Sequence, residues 1–318
     1  MKRGIVTAFI LIAFFSIISV SVGPAGTINP LDLLTDYDLA TRGILEYRLV
    51  RTLALIAIGA SLGASGATMQ QALRNPLVDP YIVGLSSGAS LGVVTTLAVG
   101  LSHPIILHFA AFAGGLIGFS LVIATSALSG LTGYSLIVVG VAYSYIMSGL
   151  SILIMVLFPD KIPSVFLWLL GSAAYVERQL LFTSLPLAIA GITAMALASR
   201  SLEVLSLGDE YAEGLGVRVS RVRALAAIAT TISVAPMVAL AGPIGFIGLT
   251  APWAARMVGA SRFQQVLLGA ILYGISITLA ADVAARLIVA PRELPLTVVT
   301  SMIGAPLLVY LSTTRRWR

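Results

Sequence analysis

PYIVGLSSGASLGVVTTLAVGLSHPIILHFAAFAGGLIGFSLVIATSALSGLTGYSLIVVGVAYSYIMSGLSILIMVLFP, residues 80–159, contains no aspartate, glutamate, lysine or arginine. A stretch this long without charge cannot supply the surface of a water-soluble domain. A hydrocarbon core about 30 Å thick is crossed by about 20 helical residues, each rising about 1.5 Å. The stretch therefore suits three spans, with breaks at Ser102-His103-Pro104 and Ser129–Gly133. The rest of the chain agrees: 58% hydrophobic and 10% charged residues, with a mean hydropathy of +1.02. Soluble domains carry about 25% charged residues.

Working outward, further spans are expected at Ile5–Val22, Thr52–Leu73, Gln179–Ser199, Gln264–Ala281 (extended to take in Asp282) and Leu294–Thr314. Ala224–Ala255 is too long for one helix and is divided by Gly242-Pro243 and Gly245. The first run follows Met1-Lys2-Arg3. It is longer than a signal-peptide core and more spans follow, so it reads as a retained helix. The expectation is a single all-α integral membrane domain over 1–318, with about ten transmembrane helices.

Charge sets the orientation. With the N-terminus inside, Lys2, Arg3, Arg74, Arg200, Arg218, Arg221, Arg223, Arg256, Arg262, Arg315, Arg316 and Arg318 fall inside. Arg42, Arg48, Arg51, Lys161, Arg178, Arg286 and Arg292 fall outside. Twelve against seven accounts for all 19 basic residues and follows the positive-inside bias. Both termini are then cytoplasmic. The net charge of +6 is explained this way and not by nucleic acid, for which no binding pattern is present. Two hydrophilic segments stand out: an outer loop at 24–46, with Asp32, Asp36 and Asp38, and an inner loop at 200–223. Within the latter, Leu207–Gly216 reads as a short helix. Asp209 and Glu210 favour its positive N-terminus, and Gly214 and Gly216 end it.

Several chemistries are excluded or left without candidates. With no cysteine there is no disulfide, thiolate metal site or cysteine nucleophile. His103 and His108 flank one outer break with no acidic neighbour, too few ligands for a metal centre. No nucleophile–base pair is evident, so no catalytic residue is assigned. The phosphate-binding pattern G-x-x-x-x-G-K-[ST] is absent, and the chain cannot bind ATP in that way. Ion-coupled secondary transport needs ionisable residues within the membrane. Asp282 is the one acidic candidate, and Arg286, four residues on, is placed to pair with it.

In chain order, Arg48-Leu49-Val50-Arg51-Thr52-Leu53, Gly59–Gly66, Gln70–Pro80, Gly84–Ala89, Trp168–Ser172, Leu207–Val217, Gly242–Leu249, Asp282–Arg286, Glu293-Leu294-Pro295 and Gly304-Ala305-Pro306 resemble the motifs of FecCD-type permeases. These are the membrane subunits of vitamin B12, ferric-siderophore and haem importers. The resemblance covers nearly the whole chain. One departure is Trp253, where family members commonly have histidine after the proline.

The resemblance implies a type II ABC importer permease in the cytoplasmic (inner) membrane, working as a homodimer. Its partners would be two copies of an ATP-binding cassette ATPase and an extracytoplasmic substrate-binding protein. ATP and Mg would be bound by the ATPase, and no cofactor by this chain. Leu207, Gly208, Asp209, Glu210, Glu213, Leu215, Gly216 and Arg218 would form the coupling segment that touches the ATPase. Arg48, Arg51 and Arg286 would dock the binding protein, with interfacial snorkelling or an Asp282–Arg286 pair as the plainer alternative. By position, Asn75, Leu77, Thr132 and Gly133 suit a cytoplasmic gate, although a proline break alone explains the motif.

Overall fold

The computed structural model describes residues 2–23, 26–28, 39–161 and 168–313. Its helices are α1 (Lys2–Ser21), α2 (Leu39–Ala72), α3 (Leu85–Ala98), α4 (Pro104–Ala127), α5 (Gly133–Leu157), α6 (Arg178–Leu197), α7 (Ser199–Leu205), α8 (Asp209–Gly214), α9 (Val219–Ala241), α10 (Ile247–Met257), α11 (Phe263–Leu287) and α12 (Leu296–Thr313). Short 3₁₀ turns lie at Pro80–Val83 and Pro159–Lys161. A two-residue hairpin pairs β1 (Val22–Gly23) with β2 (Gly26–Thr27), antiparallel.

Local chemistry sets the helix ends. His103 accepts from Ile105 N ahead of Pro104, and Thr132 accepts from Ser135 N at the start of α5. Both are N-caps that satisfy otherwise orphaned donors, and proline suits the first helical position. Asp79 likewise accepts from Tyr81 N. Gly242 (φ +71°) and Phe246 (φ +69°) bracket the break between α9 and α10 that the glycines predicted.

The core is built on α2, α9 and α11, whose apolar windows are mostly buried, whereas α1 and α5 remain largely exposed. Glycine permits the closest contacts. A Cβ on Gly63 would strike the backbone of Ala270 on α11, and one on Gly66 that of Gly248 on α10. On α3, Gly88 and Gly92 meet the backbone of Gly114 and Ala110 on α4 in the same way. Such small-residue seams let membrane helices approach closely.

Several boundaries differ from the expectation. Among the described residues, seven helices are long and apolar enough to cross a membrane: α1, α2, α4, α5, α6, α9 and α11. With 14 and 11 residues, α3 and α10 rise about 21 Å and 17 Å, short of a full crossing. In α12 the described apolar stretch is Leu296–Leu307. Leu39–Glu46, placed in an outer loop, is the start of the 34-residue α2; Asp32, Asp36 and Asp38 lie outside the described residues. The inner segment 200–223 is mostly helical, divided among α7, α8 and the first turn of α9. The N-terminal helix is tied in: Tyr273 on α11 donates to Gly4 O at 3.0 Å.

Candidate functional site

At the end of α2 that the charge pattern assigns inside, α8 stands out from the surface. Gly208 (φ +117°) and Gly216 (φ +82°) take backbone conformations that favour glycine and set the turns at either end. Gly214 is the last helical residue, so Gly216 and not Gly214 provides the stop. Val217 N donates to Ala212 O and closes the C-terminus. Ala212 faces inward, while Leu207, Tyr211 and Leu215 are 60, 73 and 65% exposed. Glu210, Glu213 and Arg218 are also exposed. The result is a short apolar ridge rimmed by charge, with Asp209 turned back against the chain.

Behind the ridge, the buried Arg223 grips Asp209 with one nitrogen, Nη2 donating to Oδ1 at 2.8 Å and Oδ2 at 2.9 Å. Its Nε donates to Ala72 O, on the last residue of α2. Sequence reading placed Arg223 inside but gave it no role. The available signal was its register: with Val219, Val222 and Ala226 it shares the buried side of α9, where a charge needs a partner.

The proposed gate residues also lie at this end. Asn75 accepts from Leu77 N at 2.9 Å in an Asx turn, which leaves Leu77 exposed. Thr132 caps α5, and a Cβ on Gly133 would come within 3.1 Å of Leu73 O, so the start of α5 abuts the end of α2. α10 fastens the loop. Trp253 Nε1 donates to Pro76 O at 3.2 Å, and its ring lies under the Arg256 guanidinium, 5.5 Å from centroid to Cζ. Arg256 donates to Gln70 Oε1, and Gln70 to Leu249 O. Trp253, the departure from the family pattern, is thus a hydrogen-bonding post beneath the loop. Burial pushes the Asp79 carboxyl up to about 6, although the Tyr81 N–H partly offsets the rise.

At the opposite end, the three arginines expected on a docking surface point into the protein. Arg48 donates to Val20 O, Ser21 O and Gly26 O. Arg286 donates to Ser19 O, Val22 O and Ser19 Oγ. Together they satisfy carbonyls left open where α1 ends, and guanidinium charge suits a helix C-terminus. Arg51 Nη2 lies 2.7 Å from Asp282 Oδ1 and 2.9 Å from Glu293 Oε2. Arg286 Nη2 lies 2.9 Å from Asp282 Oδ2. Asp282 is completely buried, and the three arginines are 2–3% exposed. The Asp282–Arg286 pair is present, so these arginines act inside the protein in this conformation. A docked protein would reach them only after they left these partners. Sequence reading missed Glu293 and Tyr47 as members of the cluster. Tyr47 accepts from Arg51 and donates to Ala174 O.

That last bond leads to the Trp168–Ser172 segment, where Ser172 N donates to Ala241 O and Leu296 N to Gly171 O. It borders a cavity of about 590 Å³ lined by Leu97, His108, Trp168, Tyr175, Glu177 and Leu240, among others. His103 is a helix cap, whereas His108 lies beside Ser184 at 3.4 Å. Among the described residues, no three histidine or acidic side chains come together to hold a metal.

Residues 9–314 match the model of the FecCD transport family. The Fe(3+)-citrate import system permease protein YfmD of Bacillus subtilis (strain 168) is 35% identical over 311 residues, 96% of this chain and 93% of that protein. The ferric enterobactin transport system permease protein FepD of Escherichia coli (strain K12) is 38% identical over 272 residues, 84% and 81% of the two chains. A solved structure described as an inward-facing metal-chelate type ABC transporter superposes with a TM-score of 0.85 at 28% identity, covering 98% of each chain.

Proposed function

The chain belongs to the FecCD transport family, and from that premise we propose that it is the membrane-spanning permease of a binding-protein-dependent importer for a ferric chelate. The relatives named for ferric citrate and ferric enterobactin make such chelates the first substrates to test, ahead of cobalamin and haem. In this proposal two copies enclose a path along their shared axis, and two ATP-binding cassette ATPases sit beneath them. A binding protein delivers the chelate from outside. ATP is bound and hydrolysed on the partner, and its closure pushes α8. The helices then rock so that access alternates between the two sides.

The observation that carries this reading is the ridge of α8. Leu207, Tyr211 and Leu215 expose apolar surface on a charged inner segment, where an isolated subunit gains nothing from it. A cleft in an ATPase would cover that surface, with Glu210, Glu213 and Arg218 at its rim. Ion-coupled secondary transport is the second reading. Asp282, its candidate carboxylate, is held between two arginines and is poorly placed to exchange protons or ions.

The test is reconstitution in proteoliposomes with the ATPase and binding protein, measuring uptake of radiolabelled ferric citrate and ferric enterobactin. Uptake should require ATP. Glu213→Arg should abolish the stimulation of ATP hydrolysis by loaded binding protein. Concentrative uptake driven by an ion gradient with no ATPase present would overturn the proposal.

A further inference from the structure

Resting on that reading, we propose that Arg223 is the positioning residue through which movement of α8 reaches the cytoplasmic gate loop. Its guanidinium bridges two elements of opposite exposure. On one side is Asp209, the first residue of α8, whose side chain is 41% exposed against 5% for Arg223. On the other is the carbonyl of Ala72, where α2 ends three residues before Asn75. Both partners carry negative charge: a full charge on the carboxylate and a partial one at a helix C-terminus. A guanidinium fits here because it is a fixed planar fork of donors, aimed at both partners at once.

The surroundings make this contact a transmitter and not merely a brace. With only six residues, α8 has a single buried side chain, Ala212, and depends on its ends for attachment. The neighbouring α7 has a separate tie, since Gln71 donates to Leu202 O at 3.0 Å. Arg223 therefore anchors α8 specifically, and it does so on the turn of α2 that leads into the Asn75–Leu77 loop. That loop is in turn pinned by Trp253. A displacement of α8 pulls on Ala72 and is delivered against the Trp253 post.

The test is hydrogen–deuterium exchange on the complete transporter with and without ATP, comparing wild type with Arg223→Met and Arg223→Lys. In wild type, ATP should change exchange over both 207–217 and 72–79. In Arg223→Met the response over 207–217 should persist and that over 72–79 should disappear. Chelate taken up per ATP hydrolysed should fall with it. Arg223→Lys keeps the charge but loses the fork, and should fall between the two. Asp209→Ala leaves Arg223 and its bond to Ala72 O in place but removes the hold on α8; it should lose the 72–79 response as Arg223→Met does, and it serves as the informative variant if Arg223→Met does not assemble. A 72–79 response of wild-type size in Arg223→Met overturns the inference, as does an equal loss over both segments, which marks a purely structural role. If wild type shows no ATP response over 207–217, the importer reading itself falls and this inference falls with it.

Discussion

Replacing Asp282 with asparagine should be among the most damaging single changes in the protein. The carboxylate is completely buried and holds Arg51 at 2.7 Å and Arg286 at 2.9 Å. Asparagine preserves the shape but removes the charge. Arg286 then keeps only neutral partners, and Arg51 keeps Glu293 alone of its two carboxylates. Breaking a buried pair by neutralising one member costs about 3–5 kcal/mol, because the remaining charge stays desolvated. At roughly 2–3 °C per kcal/mol this lowers the melting temperature by about 6–15 °C. The assay is thermal unfolding of purified protein in detergent, followed by size-exclusion chromatography or tryptophan emission. A double-mutant cycle with Arg286→Met isolates the pair: the double variant should be less destabilised than the sum of the singles by about 1–3 kcal/mol. A melting temperature for Asp282→Asn within about 2 °C of wild type, or strict additivity in the cycle, would refute the reasoning. It would return Asp282 to candidacy as a coupling group.

Three further outcomes follow from the same geometry. Gly66→Leu should prevent stable folding, since even a Cβ there overlaps the backbone of Gly248; recovery of normal yield and melting temperature in detergent would contradict the contact. Trp253→Phe keeps a ring under Arg256 but loses the bond to Pro76 O, so it should cost about 1 kcal/mol. Limited proteolysis should then reach 74–79 faster than in wild type. The Asp79 carboxyl, with its folded value raised to about 6, binds more protons folded than unfolded between about pH 4 and pH 6. Its contribution is therefore most favourable below about pH 4 and declines as pH rises to about 6, by up to about 3 kcal/mol. Asp79→Asn should flatten that part of a melting-temperature profile against pH.

Class and helix order were legible because lipid demands long uncharged runs, and residues 80–159 have no other reading. The division at Gly242 was legible for a local reason: proline disfavours the helical conformation in the residue before it, and glycine is a poor helix former. Helix length was less so. Charge places Arg42 and Glu46 in an outer loop, and Arg48 and Arg51 ahead of a span that starts at Thr52. In fact α2 continues through them, because Arg48 and Arg51 find partners on α1, α11 and the segment before α12. Those partners are up to 242 residues away in the chain, and no local pattern reveals them. The same distance hid the facing of the three arginines, whose sidedness could be inferred from charge but whose direction could not. The α8 segment was read to within two residues at each end because its signals, two acidic residues after one glycine and another glycine beyond, are contained within it.

The glycine seams set the kind of motion available to this bundle. Where Gly88 and Gly92 meet Gly114 and Ala110, neither surface carries teeth that must climb over one another. Translation along such a track repacks few rotamers and opens little void, whereas separating the helices forfeits the whole contact. Shear is therefore the cheap coordinate for α3 against α4, and bending is left to glycine joints such as the one at 242–246.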